Sequence, residues 1–242
     1  MSVSAPVAEK ANGLSTVVNV IAAPREAFET LRIAPTWGWA FVVAIVLAAI
    51  GQYLATPATM HAIQASWPAQ VAANPQLAGA SHEAQQRALN ISLAVIKWTW
   101  LATPIIVLIA ALVATIIMLI FKAVGRGDAS FKQLWCAAMN VAVVSVGVSQ
   151  LVNGLIAMVR GAASYNSTSD AYKAMPSLAW LVPHATLKLS AFLAAFSVVG
   201  IWAAVLLAMA MIYTAKTSKL NGTICALVVL VIGGGFLAWG AR

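Results

Sequence analysis

Few residues in this chain could do chemistry. His82-Glu83-Ala84-Gln85-Gln86 stops one residue short of the zinc-protease pattern H-E-x-x-H, with Gln86 where the second histidine ligand belongs. His61 and His184 are distant in sequence, so the ligand set is incomplete. Gly125-Arg126-Gly127-Asp128-Ala129-Ser130 lacks the spacing of a dinucleotide-binding glycine loop, and no strand precedes it. Cys136 and Cys225 lie in apolar stretches and read as small buried hydrophobes, with no metal or disulfide framework around them. No nucleophile–base pair is visible. The expectation is a protein with no catalytic residues, no cofactor and no metal.

One polar group stands apart. Ser145, Ser149, Gln150 and Asn153 share an otherwise apolar stretch. At about 100° per residue they fall within a wedge of about 140° on one helix. Such side chains commonly bond between helices inside a bilayer. The sharper alternative is a polar stripe lining a small channel or facilitator.

The elements that must carry these residues follow from composition. Of 242 residues, 62% are hydrophobic and 8% charged. A soluble domain normally has about 25% charged residues. Apolar stretches of about 20 residues recur, long enough to cross a bilayer as helices. The fold class expected is all-α: a polytopic bundle of five transmembrane helices over 37–54, 98–121, 135–159, 189–213 and 223–239. Trp37, Trp39, Tyr53, Trp98, Trp100, Trp135, Tyr213 and Trp239 fall near those boundaries, where amphipathic rings prefer the headgroup level. Trp202 falls mid-span, as an intrabundle aromatic whose indole needs a partner. The spans hold no Asp, Glu, Lys or Arg in their interiors, which argues against active transport by this chain alone.

The net charge of +8 has a bland reading. The basic residues flank apolar segments, so they orient the chain and meet the lipid bilayer; no nucleic-acid partner is expected. One side holds Lys10, Arg25, Arg32, Lys122, Arg126, Lys132, Lys216 and Lys219; the other holds Arg87, Lys97, Arg160, Lys173, Lys188 and Arg242. The first set is concentrated in short connectors, which stay cytosolic. That places the N-terminus inside and the C-terminus outside. The opening 1–13 lacks the basic n-region of a signal peptide, so the segment is expected to be retained.

Residues 1–36 then form a cytosolic tail, and 37–242 a membrane domain. Within the tail, Pro24 suits the first turn of a helix. Ala27, Phe28 and Leu31 share one face of it, while Arg25, Glu26, Glu29 and Arg32 share the other. This reads as a short amphipathic helix in the headgroup layer. The outer loop 55–97 contains Pro57, Pro68 and Pro75, then a helix-like stretch with Ser81 as N-cap. The loop 161–188 looks irregular.

Three stretches together resemble the Yip-domain family of integral membrane proteins in its compact bacterial form. The first is Pro24-x-x-x-Phe28-x-x-Leu31-x-x-x-Pro35-x-Trp37. The second is Phe121, Gly125 and Gly127 followed by Ser130-Phe131-Lys132-Gln133-Leu134, similar to the connector between that family's second and third spans. The third runs from Trp202 to Ile212 with Lys216 and Lys219 after it. Asn140-Val141 departs from the pattern, which has an aromatic and a proline there. The resemblance implies five spans and the same orientation. It also implies a non-enzymatic scaffold or accessory protein of the bacterial inner membrane, assisting an ABC exporter or membrane organisation. Membrane-protein partners, self-association or lipid contact would use Arg25, Phe28, Arg32, Lys122, Arg126, Phe131 and Lys132.

Overall fold

The computed structural model describes residues 13–241. Lys10 and Arg242, used in the charge argument, lie outside the described residues. All the regular elements described are helical; an isolated bridge joins Ser177 and Ser197. In order they are α1 (Gly13–Ala22), α2 (Pro24–Ile33), α3 (Gly38–Ala73), α4 (Pro75–Ala78), α5 (His82–Trp98) and α6 (Thr103–Val124). Then come α7 (Phe131–Ala142), α8 (Ser149–Arg160), α9 (Thr168–Tyr172), α10 (Leu187–Ala194), α11 (Val198–Met209) and α12 (Lys219–Gly240). A π-helical stretch, Val143–Val148, joins α7 to α8, and a second, Ala210–Thr214, ends α11.

Among the described residues, four helices are long and apolar enough to cross a membrane: Gly38–Ala73, His82–Val124, Phe131–Arg160 and Lys219–Gly240. The first two outrun the expected spans. The 36 residues of α3 rise about 54 Å at about 1.5 Å each, against a hydrocarbon core of about 30 Å. Pro57 and Pro68 lie inside this helix without ending it. Thr56 and Thr59 donate their hydroxyls to the carbonyls one turn back, at 2.8 and 3.1 Å. The loop expected at 55–97 is therefore largely helical, with α5 returning beside α3. Ser81 does cap α5, accepting the Ala84 N–H at 3.3 Å.

The fourth expected span needs correction. Residues 189–213 are not one helix, because the chain breaks at 195–197 between α10 and α11. The loop at 176–177 enters the break: Ser177 bridges Ser197, and the Val198 N–H donates to the Pro176 carbonyl at 3.4 Å. Ser197 restarts the helix by accepting the Gly200 N–H at 3.1 Å. Irregular backbone at depth is tolerated where protein covers it. The loop 161–188 is correspondingly folded. Tyr165 is buried with Ala58, Ala62, Ala157 and Ala174, and its carbonyl meets His61 Nδ1 at 2.9 Å.

The main core joins α2, α6, α7, α11 and α12 through Phe28, Leu31, Met118, Leu134, Leu206, Leu207, Met211 and Cys225. A second cluster packs α3 on α7 through Ala40, Ala44, Met139 and Val143. Farther along, α3 and α8 touch backbone to backbone. A Cβ on Gly154 would lie 2.2 Å from the Gly51 carbonyl oxygen, and one on Gly51 2.1 Å from that of Gln150. Only glycine admits that approach.

Candidate functional site

At the basic end of the bundle three segments meet: α2, the connector between α6 and α7, and the connector between α11 and α12. Arg32 clasps them. Its two terminal nitrogens donate to Asp128 Oδ1 and Oδ2 at 2.6 and 2.7 Å, and one also reaches the Thr214 carbonyl at 3.0 Å. This is the two-pronged guanidinium–carboxylate geometry that adds orientation to charge. The pair is partly open to solvent, with side chains 29% and 60% exposed, so it contributes alignment more than stability. The hydrogen bond from Arg32 is the main force holding the Asp128 carboxyl below its usual range, opposed in part by desolvation.

Neutral bonds complete the clasp. Ser130 caps α7, accepting the Gln133 N–H at 3.3 Å while its own N–H donates to Gln133 Oε1 at 2.7 Å. That reciprocal box orients Gln133, whose amide donates to the Arg32 carbonyl at 2.5 Å. Thr214 Oγ1 donates to the Phe28 carbonyl at 2.9 Å, and Asn221 Nδ2 to the Phe121 carbonyl at 2.8 Å. The Asp128 N–H donates to the Ala215 carbonyl at 3.2 Å. Gly127 is required there, since a Cβ would lie 2.4 Å from that same oxygen. Beside the clasp runs an aromatic row. Phe131 stacks on Trp135 at 6.4 Å, Trp135 meets Trp37 edge-on at 6.1 Å, and Trp37 meets Phe41 at 6.0 Å.

The anticipated contact residues separate into three groups. Arg126, Lys132 and Phe131 (53% exposed) face outward, and Lys122 is half-buried. Arg25 is exposed; it pairs with Glu29 at 3.1 Å and lies 5.4 Å from the Tyr213 ring centre. Arg32 is occupied by Asp128. Phe28 is corrected: it is fully buried in the core, because α2 lays Ala27, Phe28 and Leu31 against the bundle. Trp202 is corrected too. At 39% exposure it lies off the buried stripe Ala203, Leu206, Leu207, so it is not an intrabundle aromatic.

The polar wedge does not survive as one stripe. The π stretch Val143–Val148 shifts the register that a uniform helix would keep, leaving Ser145 exposed while Ser149, Gln150 and Asn153 are half-buried. At that level the Gly51–Gly154 contact closes α3 onto α8.

Asp128, Gln133, Thr214 and Asn221 were not anticipated. Asp128 could have been: it is the one carboxylate in that connector, and topology puts Arg32 on the same side of the membrane. The capping box of Ser130 and Gln133 has a sequence signal in its S-x-x-Q spacing, but the long-range bonds of Gln133, Thr214 and Asn221 end on backbone carbonyls, for which sequence holds none.

The clasp shares Phe28, Phe121, Gly127, Ser130 and Gln133 with the loose motifs noted along the chain. The Yip1 domain matches residues 18–240. The chain belongs to the Yip1 domain family. The resemblance drawn from the three stretches is borne out across nearly the whole chain. A relative, "Membrane protein YknW" of Bacillus subtilis (strain 168), is 28% identical over 230 residues, covering 93% of this chain and 90% of that protein. No solved structure matches. As a Yip1 protein with several membrane-length helices, the chain is an integral, multi-pass membrane protein. At the departure from the Yip1 pattern, Asn140 is buried. Its amide donates to the Thr36 carbonyl at 3.0 Å and the Cys136 carbonyl at 2.8 Å, tying α7 to the residues just before α3.

Proposed function

We propose that this chain is a non-catalytic scaffold or accessory subunit of a bacterial inner membrane, whose basic end docks another membrane protein. In this reading it crosses the bilayer five times, with α10 and α11 together making the fourth crossing. The N-terminal end is cytosolic and the C-terminal end lies outside. The observation that carries the proposal is the clasp of Arg32, Asp128 and Gln133. It fastens three separate segments into one surface without using Arg126, Phe131 or Lys132, which remain outward. A preorganised surface loses little conformational freedom on docking. The partner expected from the family resemblance is an ABC exporter; a second copy of the chain is the other candidate.

Affinity purification of the tagged chain in mild detergent tests this. Recovery of a stoichiometric membrane-protein partner, or of a homo-oligomer, is expected. Phe131→Ala with Lys132→Ala should release it. Recovery of a lone monomer after cross-linking in intact membranes overturns the proposal.

A further inference from the structure

We propose that the basic end also binds the phosphodiester headgroups of anionic phospholipids, at a site built around Arg126 and Lys216. The inference rests on the membrane placement given above and not on any protein partner.

Both residues hold left-handed backbone, with φ 52 for Arg126 and φ 56 for Lys216. Glycine is the ordinary occupant of that conformation, because a Cβ strains it. Each ends a helix. After Arg126, the Gly127 N–H closes α6 onto the Lys122 carbonyl at 2.9 Å; around Lys216, the N–H groups of Ala215 and Thr217 reach the Ala210 and Met211 carbonyls at 3.2 and 3.1 Å. The helix dipole favours a cation anywhere in the last turn. It gives no reason to place one at the strained position, twice, where glycine would close the helix as well.

The two positions are neighbours. Asp128, two residues after Arg126, donates its N–H to Ala215, directly before Lys216, at 3.2 Å. The nearby carboxylates are fewer and partly engaged: Arg32 holds Asp128, which also attracts Lys216, Arg25 holds Glu29, and Glu26 is exposed. Among the described residues Lys122, Arg126, Lys132, Lys216 and Lys219 form no ion pair. The surface is therefore a cluster of cations that outnumber the carboxylates Glu26, Glu29 and Asp128, beside the aromatic row of Phe131, Trp135 and Trp37. Aromatic rings of this kind lie at headgroup depth, so the anion within reach is a lipid phosphate.

The test uses the full chain purified in neutral detergent and titrated with short-chain phosphatidylglycerol, phosphatidylcholine or inorganic phosphate, with bound lipid counted by native mass spectrometry. The wild type is expected to prefer phosphatidylglycerol, with the preference weakening as salt rises. Arg126→Gly with Lys216→Gly should lower that affinity about 25-fold, about fivefold for each cation removed. The same variant should keep or raise its unfolding temperature, since glycine fits both positions. A merely structural role for the two cations would not produce that combination. Arg126→Asn with Lys216→Asn is a second uncharged pair that tolerates the conformation, should the glycine variant fail to fold. Equal binding of the two lipids, unchanged affinity in the variants, or inorganic phosphate binding as tightly as the lipid each overturns the proposal. Absence of a co-purifying protein would leave this result untouched, so the two readings fail separately.

Discussion

At the scale of single residues, the clasp turns on one carboxylate. Arg32 keeps the Asp128 carboxyl below its usual range. A lowered folded-state value means the contribution is present above the ordinary aspartate value of about 4 and is lost as pH falls through the lowered one. Asp128→Asn should therefore lower the unfolding temperature at neutral pH and remove part of the wild type's acid sensitivity. Exchanging the partners, Arg32→Asp with Asp128→Arg, should recover part of the loss, and thermal unfolding across pH in detergent measures all three proteins. The cysteines give a second expectation. Cys136 and Cys225 are both fully buried in the core. Neither should react with a maleimide in the folded protein, and both should react after denaturation; fast labelling of the native chain would contradict the packing of α7 and α12 against α6 and α11. Residue types carried the expectation of no catalytic set. Which polar groups meet was not readable, because most clasp bonds end on backbone carbonyls brought together from about 100 residues or more apart in the chain, such as Gln133 on Arg32 and Asn221 on Phe121.

At the scale of elements, the close approach of α3 and α8 should be sensitive to a single methyl group. Gly51→Ala and Gly154→Ala each drive a Cβ to about 2 Å from facing backbone. Backbone cannot rotate aside as a side chain can, so each should destabilise by about 2 kcal/mol or more. Gly233→Ala is the internal control. Nothing lies within 4 Å of its Cβ, and alanine favours helix over glycine by up to about 1 kcal/mol. Unfolding in mixed detergent micelles separates the two classes; a neutral Gly154→Ala would refute the interface. The C-terminal end of α3 was misjudged for one physical reason. Proline normally marks a helix boundary, yet Pro57 and Pro68 sit within α3, packed against α5 and the folded loop after α8. Apolar content alone made 189–213 look continuous, while the serine that breaks it, Ser197, is stabilised from outside by the loop at 176–177.

For the whole molecule, sidedness is the controlling property. Reporter fusions at the two termini should become active in opposite compartments, the N-terminal one inside the cell. Activity of both in one compartment would remove the five-crossing topology and the cytosolic assignment of the clasp together. The three motif stretches carried the Yip1 resemblance, while length and apolar content determined by themselves that this is a helical, multi-pass membrane protein. Those are sums along the chain, and the bilayer reads them segment by segment. Tertiary structure alone decided that α3 continues through Pro57 and Pro68, that α10 and α11 are separate, that Phe28 is core and Trp202 is not, and that Arg32 closes on Asp128. Each of these depends on which distant segment supplies the missing contact or hydrogen bond, and that partner exists only after the chain has folded.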